Sequence, residues 1–218
     1  MFYHNAAIGQ NPFYSISDIP TNPDKAKGQV NKDAFNSYGT TVRHTAKING
    51  VNGKWITGII ADVSPAAYYA NHIEINKDNN GVYYNYALHD SSLTNYNVDL
   101  INTGAYTQLE FTPAKNFKVV AAARYDRLDY KFDNRLSPGA YTGVPDAANH
   151  FDHFTPNVGL TYNTSKNIGI YANCSVGFAP PNITDLYTGV QVPTLKPSNY
   201  NNHEVGGWLA FAQSKGYN

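Results

Sequence analysis

The chain has 218 residues with 16 basic and 16 acidic side chains, so its formal net charge is zero. This balance gives no electrostatic footprint for nucleic acid or for an anionic membrane surface. The single cysteine, Cys174, excludes an intrachain disulfide framework. Residues 1–20 contain no basic segment followed by an apolar run, so no secretory signal is expected. The longest apolar runs, such as 119–123, fall far short of the ~20 residues that a membrane-spanning helix needs.

Tyrosine is the most conspicuous residue, with 18 copies, and charged residues make up only 15% of the chain, against a usual ~25%. The tyrosine side chain combines an apolar ring with a hydroxyl group that prefers water. Such residues form girdles in membrane β-barrels, and they also suit a carbohydrate-binding β-sandwich. Composition therefore favours a β protein and leaves both environments open.

Period-two alternation of apolar and polar residues dominates the chain and predicts an all-β fold. The predicted strands are 38–49, 54–64, 100–112, 117–132, 154–163, 168–178 and 201–212. The hairpin over residues 154–178 has one apolar side and one small, polar side, and Cys174 falls on the apolar side as a small hydrophobe.

Short and long connections alternate along the chain, which predicts an antiparallel up-and-down meander. The short turns are 49–53, 113–116, 163–167 and 213–216, and the long connections are 65–99, 133–153 and 179–200. In a meander, alternate connections lie at opposite ends of the sheet. Outer-membrane barrels have this asymmetry, with short periplasmic turns and long extracellular loops.

Two segments outside the main strands are interpreted as external. The 65–99 connection carries strand-like stretches on both sides of Asp78-Asn79-Asn80-Gly81, a good turn sequence, so we expect a hairpin that extends the strands beyond the membrane. Residues 1–37, rich in proline and charge, are expected to form an extracellular loop. The whole chain, 1–218, is then one domain.

The polar faces of the predicted strands carry side chains that would be costly inside a sealed sandwich. Facing a wet barrel lumen, these side chains would cost little. The predicted lumen-facing polar residues are Gln108, Glu110, Lys118, Arg124, Asp126 and Glu204. Seven strands with two open edges would leave backbone groups unpaired in lipid, so the chain is interpreted as a partial segment of a larger barrel.

Tyrosines supply the candidate ligand contacts. Tyr68, Tyr69, Tyr83, Tyr84 and Tyr86 lie in the expected external hairpin, where they could stack on a sugar or catecholate ligand. Equally, they could form an aromatic girdle or cross-strand contacts. Tyr187 is a further candidate at the opening of the 179–200 loop, although two prolines there favour a structural role.

Two groups of potential metal ligands are interpreted in ordinary terms. His150-Phe151-Asp152-His153 matches no tight metal motif and is expected to be solvated loop. Asp126, Asp129 and Asp133 alternate with basic residues, which favours cross-strand pairing over a calcium site. No metal or cofactor is predicted, and no motif for enzyme catalysis rises above chance.

Several segments resemble the barrel of TonB-dependent outer-membrane receptors. "TGAYTQLEFTP" (103–113) followed by "VAAARYD" (120–126) is similar to the family's "YxQxExxP" and "RYD" strands. "FTPNVGLTY" (154–162) and "IGIYANCSVGFAPPNITDLYTG" (168–189) resemble its next hairpin and loop, and residues 195–206 its following strand. The sequence departs from the pattern at Ala179, where arginine is common, and at His203, where tyrosine is usual.

The resemblance implies a portion of a ~22-stranded, plugged barrel in the outer membrane of a Gram-negative cell. It implies energised uptake of a scarce nutrient, most of all a ferric siderophore or other iron chelate, without enzyme activity. The implied partners are outer-membrane lipid, the nutrient and the TonB complex, which would act through a plug domain that these residues lack. Two alternatives remain: a soluble or cell-surface carbohydrate-binding β-sandwich, and a non-coupled porin-like channel.

Overall fold

The computed structural model describes residues 2–9 and 14–210. Residues 211–212 of the predicted strand 201–212, and the whole predicted turn 213–216, lie outside the described residues. The strands are β1 (Phe2–Gly9), β2 (Tyr14–Ile19), β3 (Asn22–Ile48), β4 (Gly53–Lys77), β5 (Tyr83–Ala114), β6 (Phe117–Asn134), β7 (Ala147–Asn163), β8 (Ile168–Ala179) and β9 (Ser198–Leu209). A short helix, α1 (Ile183–Tyr187), lies between β8 and β9.

All strands belong to one antiparallel sheet in which β3 to β9 follow one another as neighbours. This confirms the predicted all-β, up-and-down meander. Strands β1 and β2 both pair with the edge of β3 that faces away from β4: β2 pairs with the first part of β3 and β1 with the part that follows. Over the residues that the structure describes, β9 does not pair with β1 or β2, so the sheet is open at two edges.

Strands β3, β4 and β5 are 27, 25 and 32 residues long, well beyond the ~9–11 residues that cross a bilayer. The 65–99 connection is a continuous hairpin, as its pattern predicts, because β4 runs to Lys77 and β5 begins at Tyr83. Asp78 builds the turn, since its Oδ1 accepts hydrogen bonds from the backbone of Asn80 and Val82 at 2.9 and 2.8 Å. Gly81 takes a positive φ of 78° there, a conformation that glycine adopts without steric cost.

Residues 1–37, which the sequence predicts to be an extracellular loop, are largely strand where the structure describes them. They contain β1, β2 and the first part of β3, and β3 pairs with the distal half of β4 from Lys25↔Asn76 onward. The extended β4 has backbone groups that need partners, and these residues supply them. That requirement depends on a distant segment, so local proline and charge content did not reveal it.

The register separates the sheet into two faces. One row across β3 to β7 contains Val42, Ile59, Ala105, Tyr125 and Phe154, and we call its side the apolar face. The next row contains Arg43, Gly58, Tyr106, Arg124 and Thr155, and we call its side the polar face.

The apolar face is uncovered between the short-turn end and the middle of the strands, whereas Ala26, Ile73 and Ile75, which lie on the same side farther along β3 and β4, are buried. Leu160 is 38% exposed and Ile170 58% exposed, whereas a β-sandwich would bury such residues against a second sheet. Cys174 is also exposed on this face, beside His203 of β9. Its expected apolar placement is thus correct, but it is not buried by protein.

The side on which apolar residues lie inverts partway along β6. Up to Tyr125, the apolar residues Val119, Ala121 and Ala123 lie on the apolar face, whereas Leu128, Tyr130 and Phe132 lie on the polar face. No bulge interrupts the pairing of β6 with β7, so the inversion is a property of the sequence and not of the backbone. We call the position between Tyr125 and Leu128 the inversion level.

A buried hydrophobic core begins beyond this level, on the same side as the polar face. Its members come from β5, β6, β7 and the two long connections that fold over them: Val98, Leu128, Tyr130, Phe132, Val144, Phe151, Leu186 and Tyr187. The connections 135–146 and 180–197 therefore pack back onto the sheet. In the described ranges, no helix is long and apolar enough to cross a membrane.

Candidate functional site

Charged residues meet near the short-turn end of the polar face. The Glu110 carboxylate is bridged by the ammonium groups of Lys54 at 3.1 Å and Lys118 at 3.0 Å. Gln108 donates a third hydrogen bond to it at 2.8 Å. Gln108, Glu110 and Lys118, which the sequence predicts to lie on one polar face, thus form a single network.

Arg124 and Asp126 form the second polar contact on this face. The guanidinium donates from Nε to Oδ2 at 2.7 Å and from Nη2 to Oδ1 at 2.6 Å, and Asp126 is only 3% exposed. Gly104 of β5 is the cross-strand partner of Asp126, and a Cβ on Gly104 would come within 2.8 Å of Asp126 Oδ1. The glycine therefore leaves the space that the buried carboxylate occupies.

Glu204 lies farther along the same face. Its carboxylate accepts a hydrogen bond from the Tyr171 hydroxyl at 2.7 Å, and cross-strand pairing runs from Glu204 through Asn173, Gly159 and Val120 to Glu110. All six residues that the sequence assigned to a polar face therefore share one.

The hairpin tyrosines do not form one cluster. Tyr68 lies on the polar face and its ring is 5.5 Å from that of Tyr96, whereas Tyr69 points to the opposite face. Tyr83 packs against the small core of Ala26, Ile73 and Ile75. Tyr84 is 65% exposed, and Tyr86 is also exposed.

Tyr187 is buried at 3% exposure, in contrast to the exposed hairpin tyrosines. Its ring stacks on Phe132 at 4.3 Å, and its hydroxyl donates to Asn149 Oδ1 at 3.0 Å. Burial raises the pKa of Tyr187 to about 12. The buried position favours a structural role for Tyr187 over contact with a ligand.

The potential metal ligands do not converge. His150 and Asp152 lie on one face, and His153 lies on the other, stacked on Phe178 at 4.3 Å. Asp129 is held by Arg127 two residues away on the same strand, as Asp126 is by Arg124. Asp133 likewise lies 3.9 Å from Arg135, so the three aspartates pair with basic residues two positions away in sequence and the expected cross-strand pairing of these residues is wrong. Arg127 also contacts Asp152 of β7 across the strands at 3.7 Å. Among described residues, no group of three His, Cys, Asp or Glu side chains could hold a metal ion.

A pocket that the sequence did not indicate lies beyond the inversion level. It has a volume of about 470 Å³ between the polar side of β3–β5 and the start of α1. Asp33, Tyr68 and Tyr96 share one cross-strand row along its wall. Asp33 fell in the supposed loop 1–37, so its alignment with the two tyrosines could not be recognised.

The comparison with protein families identifies the class of this fold. The family model described as TonB dependent receptor-like, beta-barrel matches residues 2–209. The chain belongs to this family. Its members are outer-membrane transport receptors and not enzymes, which confirms the predicted location and the expectation that the chain is not an enzyme.

One similar solved structure is the crystal structure of the ferric-catecholate import receptor Fiu from Escherichia coli K12 in its closed form. The TM-score is 0.46 at 15% sequence identity, over 86% of this chain and 36% of that chain. The chain thus spans about a third of the length of that receptor. The comparison with curated protein sequences found no significant match.

Proposed function

We propose that the chain forms part of the wall of a TonB-energised receptor that imports a scarce nutrient, with a ferric siderophore or other iron chelate as the ligand. The observation that carries this proposal is the two-faced sheet of a TonB-dependent receptor family member. One face is apolar and uncovered, and the other carries fixed charges.

The apolar face is proposed to contact outer-membrane lipid. A contiguous exposed apolar surface of this kind marks an interaction site or an aggregation liability in a soluble protein. In a bilayer the same surface needs no further cover. The inversion level supports this orientation, because beyond Tyr125 the apolar face gives way to charged residues such as Arg127, Asp129 and Lys131.

The polar face is proposed to border an aqueous lumen. Glu110 with its two lysines and Arg124 with Asp126 supply charge along this path. Such groups are tolerated where water or another polar surface can reach them. The TonB complex is proposed to act through a plug domain that occupies this lumen.

The ligand is proposed to approach from the end with long connections, where Tyr84 and Tyr86 are exposed on the hairpin. Exposed aromatic rings can stack on the aromatic groups of a catecholate chelator. Family membership favours this receptor function over a non-coupled channel. In this orientation the β4–β5 hairpin is proposed to lie on the extracellular side.

Uptake of radioactive iron tests the proposal. A strain lacking the gene should lose ⁵⁵Fe uptake from one chelate class among a catecholate, a hydroxamate and haem, and plasmid-borne protein should restore it. Restoration should fail in a strain without TonB. Normal uptake from all three classes in the deletion strain, with the protein shown to be present in wild-type outer membranes, would exclude an iron-chelate ligand.

A further inference from the structure

The pocket beyond the inversion level has a composition unlike the rest of the polar face. Its lining is chiefly apolar and aromatic, and includes Phe35, Ala66, Tyr68, Tyr96, Leu100 and Ile183. Its volume of about 470 Å³ lies in the range of small-molecule sites, roughly 300–1,000 Å³. It can hold one organic group of moderate size.

Asp33 is the one charged residue among the described residues that line this pocket. Cross-strand pairing places it directly beside Tyr68, which is directly beside Tyr96. Partial burial raises the pKa of Asp33, and burial, with smaller contributions from Tyr68 and Asp33, raises the pKa of Tyr96 to about 12. The pocket therefore presents a partly dehydrated carboxylate next to two phenol rings.

The walls of the pocket are held in place by the core. Tyr96 packs on Phe132 with ring centroids 5.0 Å apart, and Phe132 stacks on Tyr187. Tyr187 and the fully buried Leu186 anchor α1, whose first residues, Ile183 and Thr184, close one side of the pocket. A preformed site of this kind loses little free energy to ordering when a ligand binds.

We propose that this pocket binds an organic cation, specifically an ammonium group attached to an apolar or aromatic moiety of a small-molecule ligand. Asp33 supplies the opposite charge, and the faces of Tyr68 and Tyr96 can attract a cation through their ring quadrupoles. The apolar lining covers the rest of the moiety. An anionic group of similar size is repelled by the same carboxylate.

This inference deepens the proposed function, since it assigns a cationic group to the imported ligand, and it rests on the polar face being reachable from the outside. The same chemistry could come from a lysine or arginine of another segment of the polypeptide. The inference commits to the small molecule, and the experiment separates the two sources.

Binding of three phenyl compounds of similar size to the full-length protein in detergent tests this proposal. The probes are phenethylammonium, neutral 2-phenylethanol and anionic phenylacetate, followed by ligand-observed NMR titration. We expect saturable binding of the cation at least tenfold tighter than that of the alcohol, and no binding of the anion. D33N should weaken cation binding at least tenfold and leave alcohol binding unchanged.

The matched control is D99N. Asp99 lies on β5 three residues from Tyr96, but on the opposite face, so this variant should bind all three probes as the wild type does. Equal affinity for the cation and the alcohol, or no effect of D33N, would overturn the proposal.

Failure of the wild type to bind any probe would also overturn it. The proposed function is tested separately, by iron uptake, and does not depend on the probe titration. Retained TonB-dependent uptake with a failed probe titration would therefore reject this inference alone.

Discussion

Phe132 of β6 and Tyr187 of α1 stack nearly parallel, with ring centroids 4.3 Å apart and an interplanar angle of 11°. This contact joins a strand to a connection that the sequence alone leaves as an open loop. Val144, from the other long connection, is completely buried beside it and donates its backbone N–H to the Tyr187 carbonyl at 3.2 Å. The two connections therefore form one packed unit on the sheet.

Y187A should loosen this unit. Removal of a buried aromatic side chain usually costs about 3–5 kcal/mol of unfolding free energy, so the connections should detach before the strands do. Limited trypsin digestion should then cleave after Arg135, in the 135–146 connection, faster than in the wild type. Y187F should show a small effect, because it loses only the hydrogen bond to Asn149, worth about 0.5–1.5 kcal/mol.

Tyr141 provides the control for that experiment, since it lies in the 135–146 connection where cleavage is measured and is 88% exposed. Y141A should leave the cleavage rate unchanged. If Y187A and Y141A were cleaved equally fast, the stacked pair would not be what holds the connections on the sheet.

G104A should disturb the buried ion pair of the polar face. The new methyl group would meet Asp126 Oδ1 at 2.8 Å and the Tyr125 carbonyl at 3.2 Å. The carboxylate or the strands must then shift, and overpacking of this kind costs about 1–3 kcal/mol. The unfolding midpoint in urea, measured in lipid vesicles, should fall accordingly.

Gly177 is the matched control for Gly104, because a Cβ there meets no atom within 4 Å. G177A should leave the midpoint nearly unchanged. A similar loss of stability in both variants would mean that backbone freedom, and not the space beside Asp126, is what Gly104 provides.

Much of this architecture could be predicted from local pattern. The turn at Asp78–Gly81 was recognisable because its residue types build a turn by themselves, and the two-faced strands follow from alternation. Alternation also predicts that the six polar residues from Gln108 to Glu204 share a face. Each of these features depends on neighbours in sequence.

The missed features depend on distant segments. Strand β3 extends to Lys25 and beyond as the partner of the distal half of β4, and the same pairing aligns Asp33 with Tyr68 at the pocket wall. One signal was visible in the sequence and could have been used. In 125–132, the apolar set changes from odd to even positions, which marks the level at which the sheet begins to bury its other side.

Y84A should weaken ligand binding if the exposed hairpin tyrosines contact the chelate. Loss of one aromatic contact is worth about 0.5–1.5 kcal/mol, which corresponds to about a two- to tenfold change in affinity. Titration of the purified protein with the transported ferric chelate measures this change. V82A, at a residue beside the turn of the same hairpin that is 57% exposed, is the comparison, and an equal loss in both variants would point to a folding defect.

V158K and N157K place the same charge on opposite faces of one strand. Val158 lies on the apolar face opposite Ala121 and Cys174, whereas Asn157 lies on the polar face between Ala122 and Ser175. A lysine facing hydrocarbon near the bilayer midplane costs about 2–4 kcal/mol, but a lysine facing an aqueous lumen keeps its hydration. Folding into vesicles, followed by heat-modifiable gel migration, should therefore be impaired by V158K and nearly normal for N157K. If N157K were the more damaging variant, the polar face would be the side in contact with lipid and the proposed orientation would be reversed.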